Sequence, residues 1–204
     1  MHTEILTREQ VDLLPVIKKF GEQFGMVGGT AIALHIGHRE SIDFDLFSEK
    51  EFRNSTITSK IKKLCPQAAI SYEDAGQINL KVGEVKLTFY HYPYPVRYSE
   101  HFEDIINIPD LLSLAAMKVF AMGQRAKWKD YVDLYFILRD YHTIDDVTER
   151  AKELFGAMYN EKLCRVQLAY FEDIDYREPV VYRPGFEVED GVVKDALTEF
   201  SLAG

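Results

Sequence analysis

No stretch of the 204-residue chain approaches the roughly 18 consecutive apolar residues of a membrane-spanning helix, so no membrane partner is expected. No apolar run of signal-peptide type leads it, and a cytoplasmic protein is expected. Cysteine is scarce: Cys65 and Cys164 stand far apart without metal-ligand spacing, and two free thiols in a reducing compartment are expected rather than a disulfide. Basic residues are outnumbered, 24 Lys and Arg against 33 Asp and Glu, for a net charge of −9. Affinity for phosphate backbones rests mainly on charge neutralisation, which makes this chain a poor general binder of nucleic acid. Any contact with nucleotide or nucleic acid must then use a local basic patch or a metal. Internal repeats and low-complexity stretches are also missing. What is present, 47% hydrophobic and 28% charged residues, describes a globular chain of one domain or two small ones with a substantial core.

The residues around which this chain is organised run from Phe24 to Phe47, F-G-M-V-G-G-T-A-I-A-L-H-I-G-H-R-E-S-I-D-F-D-L-F. An apolar run meets Gly28-Gly29-Thr30, a short helical pattern covers Ala31 to Ile36, and Gly37 stops it. An alternating strand follows. It directs Asp43 and Asp45 to one side and Ile42, Phe44 and Leu46 to the other, the two carboxylates about 6–7 Å apart at the backbone. Aspartate is disfavoured in strands, so this pair needs a reason. Hard oxygen ligands of this kind suit Mg²⁺ or Mn²⁺, which bridge phosphates to protein in phosphoryl and nucleotidyl transfer. The glycine turn lets backbone approach a ligand closely, and N–H groups at a helix start can hold phosphate oxygens. It is neither a Walker P-loop nor a G-x-G-x-x-G dinucleotide motif. Arg39 and Ser41 lead into the aspartates; Arg39 either contacts a phosphate or neutralises local negative charge. His35 and His38 lack zinc-protease spacing, and His35 is expected to pack or turn.

Before this segment, Thr7 to Phe20 reads as a helix capped by Thr7 with Gln10 completing a capping box, and Pro15 predicts a kink or break. After it come a helix over Ser55 to Leu64, a short strand over Ile70 to Glu73, and two runs, Ile78 to Val82 and Val85 to Tyr90, joined by Gly83-Glu84 as a two-residue hairpin. The proline- and tyrosine-rich His91 to Arg97 forbids regular helix and favours an extended crossing. The change of domain character is placed there: residues 1–97, then a helical region over 98–204. In the second region helices are expected over Leu111 to Phe120, with Pro109 in the first turn, and over Tyr131 to Leu138, Asp145 to Tyr159, Glu161 to Tyr170 and Val193 to Leu202. The fold class is α+β, a small mixed sheet with backing helices followed by a mostly helical C-terminal region. If Lys118 to Asp133 formed one helix, Arg125 and Lys129 would each lie within about 20° of Lys118, a basic stripe aimed at a triphosphate. Gly123 makes that conditional. Lys127 reads as a solvated charge, and Trp128 is expected to pack in the core or over the helix joint.

Taken together, G-G-T-A-I-A-L-H at Gly28 to His35, H-R-E-S-I-D-F-D-L-F at His38 to Phe47, A-A-M-K at Ala115 to Lys118, R-A-K-W-K-D-Y-V-D-L-Y at Arg125 to Tyr135 and L-A-Y-F-E-D-I-D at Leu168 to Asp175 resemble the AbiEii-type nucleotidyltransferase toxins of abortive-infection and toxin–antitoxin systems, within the DNA polymerase β-like superfamily. The resemblance implies a nucleotidyltransferase sheet followed by a helical region, with the active site between them. It implies that Gly28, Gly29 and Thr30 hold the triphosphate; Arg39 and Ser41, by their place just before the aspartates, are nucleotide-binding candidates beside them. Asp43 and Asp45 would bind Mg²⁺ (or Mn²⁺), and Lys118, Lys129 and Asp130 would position nucleotide or acceptor, with Asp133 in support. Catalytic roles fall to Asp43, Asp45 and Lys118. The implied partners are a nucleoside triphosphate, an RNA (tRNA in some relatives) or protein acceptor, and a separately encoded antitoxin. The chain departs from the pattern at Thr88, where a third strand aspartate is common, and at Ser113, five residues before the lysine, where an aspartate is common. Threonine is neither a base at neutral pH nor a good metal anchor. The alternative is therefore a catalytically degenerate nucleotide-binding or regulatory protein on the same fold, unless Glu84 or Asp74 takes the place of the third acid.

Overall fold

The computed structural model describes residues 1–123 and 126–203 and divides into two compact units, Met1–Asp110 and Leu111–Gly204. The first extends past the expected change at residue 97. The reason is the ribbon formed by β6 (Glu100–Phe102) and β7 (Ile106–Ile108), whose second strand lies against β1 (Gly25–Val27).

In the first unit α1 (Arg8–Lys18) starts at a capping box: the Gln10 N–H donates to Thr7 Oγ1 at 3.2 Å and the Thr7 N–H to Gln10 Oε1 at 3.0 Å. Of the expected kink or break at Pro15, the break does not occur. The carbonyl deprived of its partner belongs to Val11, an exposed residue, where water can take the bond. Then follow β1, α2 (Gly28–Ile36), β2 (Phe44–Ser48), α3 (Asn54–Leu64), β3 (Ala69–Asp74), β4 (Gln77–Val82) and β5 (Val85–His91). Gly37 closes α2 in the left-handed conformation, and Gly83 at φ 59° turns the β4–β5 hairpin between the paired residues Val82 and Val85.

The sheet order is β1-β2-β5-β4-β3, with β2 parallel to β5 and the other neighbours antiparallel. Strand alternation makes its faces chemically different. One carries Phe44, Leu46, Ile78, Leu80, Leu87 and Phe89, all fully buried. Phe20 and Phe24 pack on Phe89 with ring centroids 4.8 and 5.2 Å away. Each such side chain contributes roughly 2 kcal/mol by leaving water, which fixes the register of the whole sheet. The other face carries Asp45, Phe47, Gln77, Asn79, Thr88 and Tyr90.

The second unit holds α4 (Leu111–Met122), α5 (Trp128–Asp140), α6 (Ile144–Phe155), α7 (Glu161–Leu168) and α8 (Asp190–Leu202). The single helix over Lys118 to Asp133 does not form: α4 ends at Met122 and α5 begins at Trp128, so the basic stripe is not built, and Arg125 lies outside the described residues. Pro109 sits ahead of α4 rather than in its first turn. Trp128 is buried, its Nε1–H donating to Asp190 Oδ1 at 3.1 Å. Cys65 and Cys164 are both free and buried, and burial pushes each thiol pKa up. Among the described residues no helix is long and apolar enough to cross a membrane.

Candidate functional site

Gly28 is the pivot of the first unit's site. Its φ of 75° is a left-handed conformation that glycine adopts without strain. A Cβ placed there would fall 2.2 Å from Asp45 Oδ2, so the start of α2 and the Asp45 carboxylate touch only because the side chain is missing. Val27, at the N-cap, offers no side-chain cap, which leaves the first turn of α2 with N–H groups to give to an anion. With the triphosphate role that the sequence resemblance implies for this turn, Gly28→Ala is expected to weaken triphosphate binding at least about 100-fold in Kd by calorimetry, with the φ penalty adding about 1–2 kcal/mol of destabilisation. Binding at parental strength would remove this junction from the site.

Strand β2 begins at Phe44, so Asp43 precedes it and Asp45 lies within it. Ile42 does not join Phe44 and Leu46 in the core as the alternation suggested: it is 43% exposed, because the pleat starts only after it. Thr30 ties the two parts together. Its buried hydroxyl donates to the Asp43 carbonyl oxygen and lies 2.9 Å from Ser41 Oγ. Thr30 and Ser41 thereby fix the approach of the aspartates to α2. Arg39 is 2% exposed; its Nη1 donates to the Glu40 carbonyl at 2.9 Å. A Cβ on Gly29 would meet Arg39 Nη2 at 2.5 Å and Ser41 Oγ at 3.3 Å. The guanidinium is a fixed positive charge beneath the glycine pair.

Register decides what stands beside Asp45. Val27 is opposite it on β1 and Thr88 on β5, with Asn79 beyond Thr88 on β4. Thr88 is buried and its Oγ1 has no hydrogen-bond partner among the described residues. Neither Glu84 nor Asp74 replaces a third acid here. Glu84 sits in the hairpin turn, four residues and so about 13 Å along β5, paired with Lys81 at 3.3 Å. Asp74 is two strands away, its carboxylate accepting from the Ala75 N–H at 2.7 Å. Among the described residues no group of three or more His, Cys, Asp or Glu is placed to hold a metal. The Asp45 carboxylate has no hydrogen bond or ion pair among the described residues, a state suited to a hard cation. His35 packs as expected, its Nε2–H donating to the Pro109 carbonyl at 3.0 Å, and burial pushes its pKa down.

The second unit contains its own charge cluster. The Lys118 ammonium lies 2.8 Å from Asp130 Oδ1 and 2.7 Å from Asp133 Oδ2, with all three residues buried. The i, i+3 spacing of the two aspartates places both on one face of α5 toward α4. Two carboxylates share the one ammonium, so the lysine does not belong to the cationic stripe drawn from helical spacing. Asp130 Oδ2 is buried and unpartnered among the described residues. Lys129 is held apart from this cluster by Glu178 at 3.2 Å, and Lys127 also pairs with Glu178 at 2.6 Å, which holds the Glu178 carboxyl below its ordinary pKa. Ser113 Oγ accepts from Arg150 at 3.1 Å. Asn79 was missed in the sequence; the alternation of Gln77, Asn79 and Lys81 with Ile78, Leu80 and Val82 marks its face, but only register puts it beside Thr88.

A sheet of this order, with a glycine-opened helix against a strand aspartate, defines a nucleotidyltransferase-type fold. Structural neighbours have it too. MenT4, a nucleotidyltransferase toxin of Mycobacterium tuberculosis, superposes with a TM-score of 0.61 at 12% identity, over 94% of this chain and 81% of that one. JHP933 of Helicobacter pylori gives 0.56 at 16% identity, over 96% and 91%. In sequence, an uncharacterized protein of Aquifex aeolicus, aq_aa25, is 30% identical over 175 residues, 82% of this chain and 84% of its own length. The family model described as nucleotidyl transferase AbiEii toxin, Type IV TA system, matches residues 16–188. The chain belongs to the AbiEii nucleotidyltransferase toxin family.

Proposed function

We propose that this chain transfers a nucleoside monophosphate from a nucleoside triphosphate to the hydroxyl of an RNA acceptor, with Mg²⁺ or Mn²⁺, as the toxin of a pair whose antitoxin is a separate protein. The observation that carries the reading is the contact of Gly28, at the start of α2, with the Asp45 carboxylate, which has no hydrogen bond or ion pair among the described residues. Asp43 and Asp45 would hold the cation, which when bound neutralises phosphate charge and orients the α-phosphate. Gly28 and Gly29 present backbone N–H groups to the triphosphate, and Thr30, Ser41 and Arg39 keep that turn in place. The acceptor oxygen forms a bond to the α-phosphorus as the bond to the bridging oxygen breaks and pyrophosphate departs. The hydroxyl proton goes to water, because Thr88 cannot take it. The protein's contribution is then positioning and electrostatic stabilisation. Lys118, Lys129 and Asp130 are assigned to positioning nucleotide or acceptor on the strength of the family resemblance.

The test is a screen of the four α-labelled triphosphates against total RNA with Mg²⁺ or Mn²⁺, scored for label in RNA. Nucleotide binding without transfer to any RNA over long incubation would favour the second reading, a degenerate nucleotide-binding protein, to which Thr88 at the third-acid position points. Thr88→Asp separates the two further. Supplying the proton acceptor beside Asp45 is expected to raise the transfer rate by about 10²-fold, the lower end of general-base contributions. A rate unchanged from the parent would mean that β5 does not face the reacting hydroxyl.

A further inference from the structure

The Asp45 face of the sheet continues into a patch of aromatic side chains to which neither the metal nor the triphosphate gives a purpose. Phe47 follows Asp45 by two residues on the same face of β2, about 7 Å away. Tyr90 is its partner on β5, with ring centroids 5.2 Å apart. Tyr92 lies 5.1 Å from Phe47 and 6.1 Å from Tyr90, and Tyr94 4.8 Å from Tyr92. Tyr98 occupies the space that a Gly25 side chain would fill and donates its hydroxyl to the Phe47 carbonyl at 3.3 Å. Tyr92 is buried, whereas Phe47, Tyr90 and Tyr94 remain partly exposed. Burial pushes the Tyr92 and Tyr98 hydroxyls far above their ordinary pKa. Gln77 and Asn79 flank it with hydrogen-bonding side chains on β4.

Direction along β2 decides what this patch would meet. β1 runs antiparallel to β2, with Val27 opposite Asp45 and Gly25 opposite Phe47. Gly28 therefore lies beyond Asp45 on the side away from Phe47. In an in-line displacement the leaving and attacking oxygens stand on opposite sides of the phosphorus. With the triphosphate at Gly28–Gly29, the pyrophosphate leaves toward α2 and the acceptor arrives from the side of Phe47 and Tyr90. Partly exposed rings at that position match what unpaired bases require: a π-face for stacking, with amides nearby.

We propose that Phe47, Tyr90 and Tyr94 form a stacking platform for unpaired bases of the acceptor strand. This rests on the nucleotidyltransferase reading above and specifies the acceptor as single-stranded where it enters. The test uses the full chain and a fluorescein-labelled strand of ten adenosines beside its abasic ribose-phosphate counterpart, which has the same charge and no bases. Fluorescence anisotropy is expected to show the base-bearing strand bound about 10-fold more tightly than the abasic one. Phe47→Leu and Tyr90→Leu, which keep apolar bulk and remove the ring, should erase that preference, and Tyr90→Phe should retain it. Should Phe47→Leu fail to fold, Tyr94→Leu at the outer end of the cluster serves in its place. Nucleoside triphosphate binding by calorimetry should be unchanged in all of them. Equal affinity of the parent for the two strands, binding of neither, or Leu variants that keep the preference would overturn the platform. Leu variants that weaken triphosphate binding and leave strand binding intact would assign the rings to the incoming base instead, and also overturn it. A parent that discriminates the strands yet binds no triphosphate would sink the transferase reading while leaving the platform standing.

Discussion

Asp45→Asn is expected to reduce transfer of label from an α-labelled triphosphate to RNA by about 10³-fold, with the folded state intact. The substitution is isosteric and removes one negative charge at the place where the proposed reading puts a divalent cation beside a triphosphate. Removing one preorganised electrostatic group typically costs about 10²–10³ in rate, and a shared metal ligand belongs at the upper end. The carboxylate has no hydrogen bond or ion pair among the described residues, so nothing in the fold is left unsatisfied by an amide. Stability should stay within about 0.5 kcal/mol of the parent. Asp43→Asn should act in the same direction. Bacterial growth arrest on expression, the readout of a toxin, should be relieved by either change. Unaltered transfer in both variants would end the assignment of these two acids; a collapsed melting point would show that Asp45 serves the fold instead.

Lys118→Met is expected to have the largest effect on stability. Lys118 sits between Asp130 and Asp133, 2.8 and 2.7 Å from their carboxylates, in a place where none of the three is more than 8% exposed. Removing one partner of a buried ion pair strands the other, at a cost of about 3–5 kcal/mol. Here two carboxylates lose the ammonium they share, and their mutual repulsion adds to the loss. For a chain of this size the melting midpoint should fall by roughly 10 °C. Adding Asp130→Asn and Asp133→Asn to Lys118→Met removes the stranded charge and should return most of the loss, because apolar or neutral replacement of a whole buried ion cluster is often close to neutral. A Lys118→Met chain that melts with the parent would mean that the triad opens in solution and that the lysine is available to a phosphate. If the triple variant is stable but inactive, the triad has a role in transfer beyond holding α4 to α5.

These two expectations depend on different kinds of information. The elements were legible because local chemistry specifies them: the Thr7–Gln10 capping box, the Gly83-Glu84 hairpin turn, the Gly37 stop and the helical periods of the second unit all act within a few residues. The Gly28 to Asp45 stretch was legible for the same reason, since glycines and strand aspartates are uncommon choices that stand close together in sequence. The break between Met122 and Trp128 was harder. Gly123 signals a helix end weakly, and periodicity carried through it produced a stripe that the chain does not build.

The amino-acid sequence by itself determined the α+β class, the family, the absence of a long apolar helix, and the candidate pair Asp43 and Asp45. Tertiary structure alone decided three further matters. It placed Thr88, not Glu84 or Asp74, beside Asp45, because strand register is a long-range property set by burial of the opposite face. It joined Lys118 to Asp130 and Asp133 in a buried triad, because packing of α4 against α5 brings together residues 12 and 15 positions apart. And it gathered Phe47 and Tyr90 onto the Asp45 face, with Tyr94 reaching them through Tyr92, rings that are scattered in sequence and come together only when β2 and β5 lie side by side.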